Sequence, residues 1–332
     1  MRYLLITMFS AAILYGSTYQ QFRFFSLDNP GGAADAIHYV DLTRGDLPNE
    51  PEIRHYRWVT PALARLVQRL VDGVVRDDDL SIRLAFYLVN FSFSLVAAVV
   101  LFRLLQAMDY SLLLSLLGVS AFAASRVTVL VTGTPMADAG YFCAIAILVC
   151  LTLEKKALAL ALMFPLLVLT KETIIPFLVL PFFAGMHGSP VLWGGLAAAA
   201  VTFVVSGQVV SGYYSGEDAS YAAAILEHVA DFGPSAARLF TLPGLHDAQH
   251  GFSLLLPLSV IGGWLNARYR YHQVPAVVVA TVPLALGLAL LSGNFGRMLF
   301  AAFPAVIAYA LITVEHVARV HEASRVATRL RA

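Results

Sequence analysis

Charge is scarce in this sequence. Only 13% of its 332 residues are Asp, Glu, Lys or Arg, against about 25% in a soluble domain. A chain this poor in charge cannot clothe a globule in solvated side chains, which excludes an ordinary soluble enzyme. The two signs almost cancel, 22 cations against 21 anions, and no dense basic cluster appears, so a nucleic-acid partner is not expected. Cysteine is nearly missing as well. Cys143 and Cys150 lie on one apolar run, separated by a helical rise of roughly 10 Å that no disulfide bridges. They read as packing residues. Also absent are a GxSxG elbow, an HExxH pair, a phosphate-binding loop and a dinucleotide fingerprint. ATP-driven transport within this chain therefore has no support.

What is present in excess is apolar. Hydrophobic residues make up 59% of the chain, the mean hydropathy is +0.74, and runs of about 20 apolar residues recur, long enough to cross a bilayer. The expected fold is all-α: a polytopic membrane helix bundle forming one transmembrane domain over residues 1–332. About ten spans are expected, near 3–22, 80–102, 111–130, 135–153, 157–170, 173–185, 190–212, 252–266, 274–291 and 298–315. The first run, Tyr3 to Tyr19, has no convincing small-residue cleavage site and reads as a retained helix. The fifth and sixth are short and could be one broken helix. Short-loop cations set the orientation. With the N-terminus in the cytoplasm, Arg2, Arg103, Lys155, Lys156, Arg268, Arg270, Arg319, Arg325, Arg329 and Arg331 fall inside. Outside remain only Arg126, Lys171 and Arg297 in short loops.

Two long loops then face outward, residues 23–79 and 213–251. In the first, the turn signal Asp28-Asn29-Pro30-Gly31-Gly32 precedes a short helix expected over Ala33 to Thr43. A second helix is expected from Trp58 to Val75. Val59, Leu63, Leu66, Val67, Leu70, Val71 and Val74 form one face; Arg65, Gln68, Arg69, Asp72 and Arg76 form the other. That is the pattern of a helix lying in the membrane interface.

A charge inside a bilayer costs about 3 kcal/mol, so ionisable residues at the margins of apolar runs single themselves out. Asp35, His38 and Tyr39 share a helix face. Asp35 could be a general base, a metal ligand, or an acid favoured by the helix dipole. Arg57 could grip a phosphate with two parallel hydrogen bonds or snorkel to headgroups. Lys171 and Glu172 interrupt an apolar stretch; they could neutralise each other, or Lys171 could face an anionic ligand. Arg297, after a glycine-rich turn, poses the same choice. Arg126 and Asp138 flank Gly133-Thr134-Pro135 and could form a structural ion pair. Four cations kept on the outer side, against the positive-inside bias, point to an anionic ligand there, and a lipid-linked phosphate is the natural one. His246 and His250 would suit a metal only on a helix, and the preceding Pro243-Gly244 points to a loop. Asn90-Phe91-Ser92 matches a glycosylation sequon but lies within a span.

At these residues the sequence resembles the GT-C superfamily of membrane glycosyltransferases. The likeness rests on the retained first helix and the early acid in Ala34-Asp35-Ala36-Ile37-His38-Tyr39. It extends to Tyr56-Arg57-Trp58-Val59-Thr60-Pro61 before an amphipathic helix, Thr134-Pro135-Met136-Ala137-Asp138 at a span start, the break Thr170-Lys171-Glu172-Thr173, and Arg297 before a span holding Pro304. It covers most of the chain as layout, through short motifs, at superfamily level. It implies transfer of a sugar from a polyprenyl-phosphate donor to an acceptor glycan, lipid or protein, at the outer face of a bacterial inner (plasma) membrane. Asp35 would be the catalytic base. Arg57, Lys171 and Arg297 would hold the donor phosphate, with His38, Tyr39, Arg126, Asp138 and Glu172 around the substrate. The second acid often seen beside the loop-one acid is missing, though Asp28 or Asp41 could supply it, which leaves a divalent metal ion open. A transporter or flippase, or a polymerase or ligase of lipid-linked saccharides, would share the outer cations without needing Asp35.

Overall fold

The computed structural model describes residues 1–45, 57–211, 232–292 and 295–329. Among them every regular element is a helix, and there is no strand. The chain opens with α1 (Arg2–Phe24), a 3-10 turn (Gly31–Ala33), α2 (Ala36–Arg44) and α3 (Val59–Val71). It continues with α4 (Asp78–Ala107), α5 (Leu112–Ala123), α6 (Arg126–Gly133), α7 (Asp138–Leu153) and α8 (Ala157–Thr170). A 3-10 segment (Glu172–Val179) leads to α9 (Leu180–Phe183) and α10 (Pro190–Ser211). Then come α11 (Phe232–Leu239), α12 (Leu242–Phe252), α13 (Leu255–Tyr269), α14 (Ala276–Val279) and α15 (Thr281–Leu290). The last are α16 (Phe295–Leu299), a 3-10 turn (Phe300–Ala302) and α17 (Phe303–Arg329).

Among the described residues three stretches are long and apolar enough to cross a membrane unaided: Asp78–Ala107, Pro190–Val209 and Phe295–Val326. The run expected as one span at 111–130 is instead two helices, α5 and α6, bent by 55°. The break falls where Ser125 caps α6 by accepting from the Thr128 amide, a local hydrogen bond that competes with continuing the helix. Counted as one span, the pair makes a fourth. The remaining apolar helices are shorter: α7, α8, Glu172–Phe183 and Ala276–Leu290. The regular structure of the described residues is thus all-helical, with three to four helices of membrane-crossing length and composition among them.

The packed centre lies between α4, α7 and the start of α17. Ala97, Leu101 and Phe102 of α4 share this core with Phe142, Ile145 and Leu148 of α7, with Phe300 and Phe303 edge-on to Phe142 and Phe300 stacked on Phe122. Because α7 is buried on nearly all sides, it reads as apolar all round, as a helix enclosed by others should. Both cysteines sit there, buried and unpaired with each other. By contrast, α10 packs chiefly on α8 and leaves most of its surface outside the bundle.

Loop one forms the two expected helices. The described part of α3 packs through Thr60, Pro61 and Ala64, against α4 and α2. Its apolar residues Leu63, Leu66 and Leu70 are exposed, as is Val74 beyond it. An apolar face turned away from the protein is what an interfacial helix presents to lipid. Residues 213–231 of loop two lie outside the described residues. Where a loop was expected around Pro243-Gly244, α12 is a helix, with Pro243 in its first turn and Thr241 as its cap. Proline lacks the amide that this first turn would leave unbonded anyway.

Candidate functional site

Asp35 occupies the N-cap position of α2, yet its carboxylate makes no capping bond. It accepts instead from Arg297 Nη2, 2.9 Å away and 262 residues later in the chain. One turn on, Tyr39 is fully buried and its hydroxyl oxygen accepts from Arg57 Nη1. Arg57, just ahead of α3, forks onto Glu172: Nε donates to Oε2 at 3.0 Å and Nη2 to Oε1 at 2.6 Å. Two parallel bonds of this kind fix a guanidinium in direction as well as place. The expected phosphate fork is here filled by a carboxylate.

Lys171 and Glu172 do not neutralise each other. α8 ends at Thr170, and Lys171 is extended, with φ −167° and ψ 134°. Extended backbone sends neighbouring side chains to opposite sides. Glu172 therefore reaches Arg57, and Lys171 Nζ donates to Asp138 Oδ1 at 2.6 Å. Asp138 and Lys171 are the most enclosed pair, their side chains 1% and 2% exposed. The other oxygen of Asp138 lies 3.5 Å from Arg297 Nη1. The result is one chain of charge, Asp35–Arg297–Asp138–Lys171, beside the pair Arg57–Glu172. Three cations meet three anions.

Two features place these groups. Asn90, within α4, donates from Nδ2 to the carbonyl oxygens of Thr134 and Met136, both at 2.9 Å. That fixes the turn from which α7 starts, and Asp138 with it. The sequon reading of Asn90 gives way to a buried clamp. The second feature is a glycine contact. A Cβ on Gly296 would lie 2.6 Å from the Asp247 carbonyl oxygen, and one on Gly251 would lie 2.8 Å from that of Gly296. Only glycine lets α12 and α16 approach this closely, and Arg297 follows directly.

Seven of the nine expected residues thus meet: Asp35, Tyr39, Arg57, Asp138, Lys171, Glu172 and Arg297. His38 is half-buried on α2. Arg126 stands apart. It does not pair with Asp138; it is exposed at the start of α6 and contacts His250 Nδ1 at 2.7 Å. His246 and His250 lie ring on ring, 3.7 Å between centroids, so they do share a helix face, but with Arg126 beside them. Among the described residues no three His, Cys, Asp or Glu side chains gather as a metal would require. The acids a divalent ion would need at this site, Asp35, Asp138 and Glu172, are each held by a cation.

Burial pushes the Tyr39 phenol up to about 12, against the opposing pull of Arg57, so it is neutral at working pH. Burial alone would lower the Arg57 guanidinium, but Glu172, Tyr39 and Asp138 together outweigh it and hold Arg57 well above its ordinary value. It is a permanent cation.

Beside the charges runs apolar surface. A cleft of about 370 Å³ is lined by Trp58, Leu169, Val201 and Val205, among others. A larger one, about 540 Å³, lies between α8, the 3-10 segment and α10, with Val168, Ile175, Phe182 and Trp193 on its walls. Trp58 is the neighbour of Arg57, and Leu169 lies two residues before Lys171, so the apolar walls reach the level of the ions.

The chain matches no family model, no curated protein and no solved structure.

Proposed function

We propose that this protein is a GT-C-like membrane glycosyltransferase of about ten spans. It moves a sugar from a polyprenyl-phosphate donor to an acceptor hydroxyl at the extracytoplasmic face of a bacterial inner membrane. The observation that carries this reading is the gathering of Asp35, Arg57, Asp138, Lys171 and Arg297 from distant parts of the chain beneath the loop-one helices. A buried ionic network is costly to build and has a use where a charged headgroup must be held. The adjacent apolar clefts suit the donor's isoprenoid chain, which has to reach the same level from the bilayer.

In this mechanism the donor phosphate lies against Arg57, Lys171 and Arg297. The acceptor hydroxyl oxygen bonds to the anomeric carbon of the sugar. The bond from that carbon to the phosphate oxygen breaks, and its electron pair leaves with the phosphate. Fixed cations stabilise that departing anion in a site shielded from water. Asp35 takes the hydroxyl proton as the new bond forms. The loop-one roof limits hydrolysis of the donor.

Purified protein in detergent, supplied with a polyprenyl-phosphate sugar and an acceptor extract, should transfer sugar. Asp35→Asn should lower turnover by about a hundredfold or more. Near-normal turnover by a correctly inserted Asp35→Asn would move the base elsewhere. Transbilayer movement of the lipid-linked sugar without transfer would replace the enzyme by a transporter.

A further inference from the structure

At the end of α4 opposite loop one, a second group of ionisable side chains joins three parts of the chain and has no share in the transfer chemistry. His272 lies in the short link between α13 and α14, and both of its ring nitrogens face an oxygen. Nδ1 is 3.1 Å from the carbonyl oxygen of Met108, where α4 ends, and Nε2 is 2.6 Å from Glu315 Oε2 on α17. We infer that this arrangement is a proton-operated tie: His272 fastens the end of α4 to α17 through two bonds while its ring carries two N–H groups, and gives up one bond when it carries a single N–H. Nothing in this tie depends on the transferase reading.

The number of donors decides the chemistry. A backbone carbonyl and a carboxylate are both acceptors, whereas a neutral imidazole has one N–H and one bare nitrogen. Only the imidazolium donates in both directions. The extra proton belongs to the ring and not to the carboxyl, because Glu315 Oε1 also accepts from Nε and Nη2 of Arg319, at 3.1 and 2.5 Å, a charge-assisted contact made by a carboxylate. The ring is held for this task. It stacks on Tyr110 with 4.1 Å between centroids and 21° between planes, and the His272 amide donates to Asn266 Oδ1 at 3.0 Å. The side chains of His272 and Glu315 are 8% and 15% exposed, so water replaces a lost bond only in part.

The charged groups that face His272 are Glu315 and, behind it, Arg319, both from α17; the turn between α4 and α5 contributes the Tyr110 ring. Beside this contact, Tyr271 meets His316, hydroxyl to Nδ1 at 2.6 Å, and from α13 the Tyr269 ring stacks on His316. A hydroxyl donates to a bare nitrogen or accepts from a protonated one, so the Tyr271 contact survives either state of His316 and does not switch. The tie at His272 does. Its bound form is the protonated one, so its stabilisation is present on the acid side of the histidine titration and declines as the pH rises through it. α16, the 3-10 turn and α17 follow one another without a loop. Glu315 and Arg297 therefore belong to one helical stretch, with the tie near one end and the charged site at the other.

The test uses the full-length protein in detergent at about pH 5.5 and about pH 8.5, either side of the range in which histidine ordinarily titrates. Thermal unfolding of the wild type is compared with that of His272→Phe, which keeps a ring against Tyr110 and removes both N–H groups. The wild type should unfold about 3 °C above the variant at the lower pH, and the gap should shrink to about half at the higher. A nitroxide on Gln273→Cys, exposed next to the ring, reads the link locally, since both native cysteines are buried. Its motion should increase from the lower pH to the higher. Glu315→Gln separates the tie from any other titration. A carboxamide offers N–H to a neutral ring and oxygen to a protonated one, so both His272 bonds persist in either state and the label should stop responding to pH. A gap of equal size at both pH values, or a label in otherwise wild-type protein that ignores pH, overturns the tie. A pH response in Glu315→Gln as large as in the wild type overturns it as well, because the proton would then sit elsewhere. The label measurement leaves His272 and Glu315 intact in its first arm, so it decides the matter even where His272→Phe fails to fold.

Discussion

The molecule carries ion pairs at two ends of its bundle, and they differ in almost every physical respect. At the loop-one end, Asp138 and Lys171 are enclosed and their partners come from remote segments. At the other end of the same helices, Arg103 pairs with Glu154 at 53% and 21% exposure, and Arg319 with Glu315 one helical turn apart. α7 joins the two ends, with Asp138 at its start and Glu154 just past its last residue. Exposed pairs in water contribute little, so those at the far end suit helix ends that only need to be solvated. Buried pairs must be complete to be tolerated at all. The far end also holds one largely buried contact, His272 Nε2 to Glu315 Oε2 at 2.6 Å with side chains 8% and 15% exposed. The fully enclosed pair Asp138–Lys171, however, lies at the loop-one end, and the functional reading rests there.

The largest effect expected from breaking that contrast is at Lys171. Lys171→Met leaves Asp138 buried beside only the more distant Arg297, and loss of one partner from a buried pair costs about 3–5 kcal/mol. Thermal unfolding in detergent should fall sharply, and Asp138→Asn in the same chain should restore part of the loss. Full stability of the single variant would show that the pair is not enclosed as described.

Next comes Arg57→Gln, which strips the fork from Glu172 and the donor from Tyr39. A loss of about 2–3 kcal/mol is expected, from a charge-assisted pair of hydrogen bonds broken with one acid left behind. Cross-linking of α2 to α3 through introduced cysteines would report whether the roof loosens. A roof that stays firm would assign its hold to α4 instead.

A pH measurement sharpens the same comparison. The Tyr39 phenol is raised in the folded protein from 10.0 to about 12, so the folded state keeps a proton that the unfolded state releases. The associated stability is fully present below pH 10 and declines as the pH rises from 10 towards 12. Tyr39→Phe should remove that part of the alkaline decline. An unchanged alkaline profile would mean that the phenol is not enclosed.

The smallest effect belongs to the far end. Arg103→Ala should change stability by about 0.5 kcal/mol or less, because Arg103 is more than half exposed. A loss comparable to that of Lys171→Met would erase the distinction between the two ends.

The residues of the network were legible one by one, and their partners were not. Asp35, Arg57, Lys171, Glu172 and Arg297 were noticeable because ionisable groups at the edge of apolar runs are costly without a reason. Sequence proximity does not give those partners. The pairings that adjacency offered, Lys171 with Glu172 and Asp138 with Arg126, are not the ones made: Asp138 answers to Lys171 and Arg297, 33 and 159 residues away. Asn90 stood out only as part of a sequon already set aside for lying within a span, and its role as a clamp depends on the turn that leads into another helix. The loop-one helix was readable from its 3.6-residue period, but not which face would pack: the buried side is Thr60, Pro61 and Ala64, and the apolar side is free for lipid.

By itself the sequence determined what each segment can be. Apolar runs and scarce charge dictate helices, since a backbone out of water has to satisfy its own hydrogen bonds, and the polar stretches between them dictate where those helices stop. Ion pairing was decided only in three dimensions. Coulomb attraction depends on distance in space and on the surrounding dielectric, and neither quantity is written along a chain. The glycine contact of α12 with α16, the extended turn at Lys171 and the clamp by Asn90 set those distances for this protein.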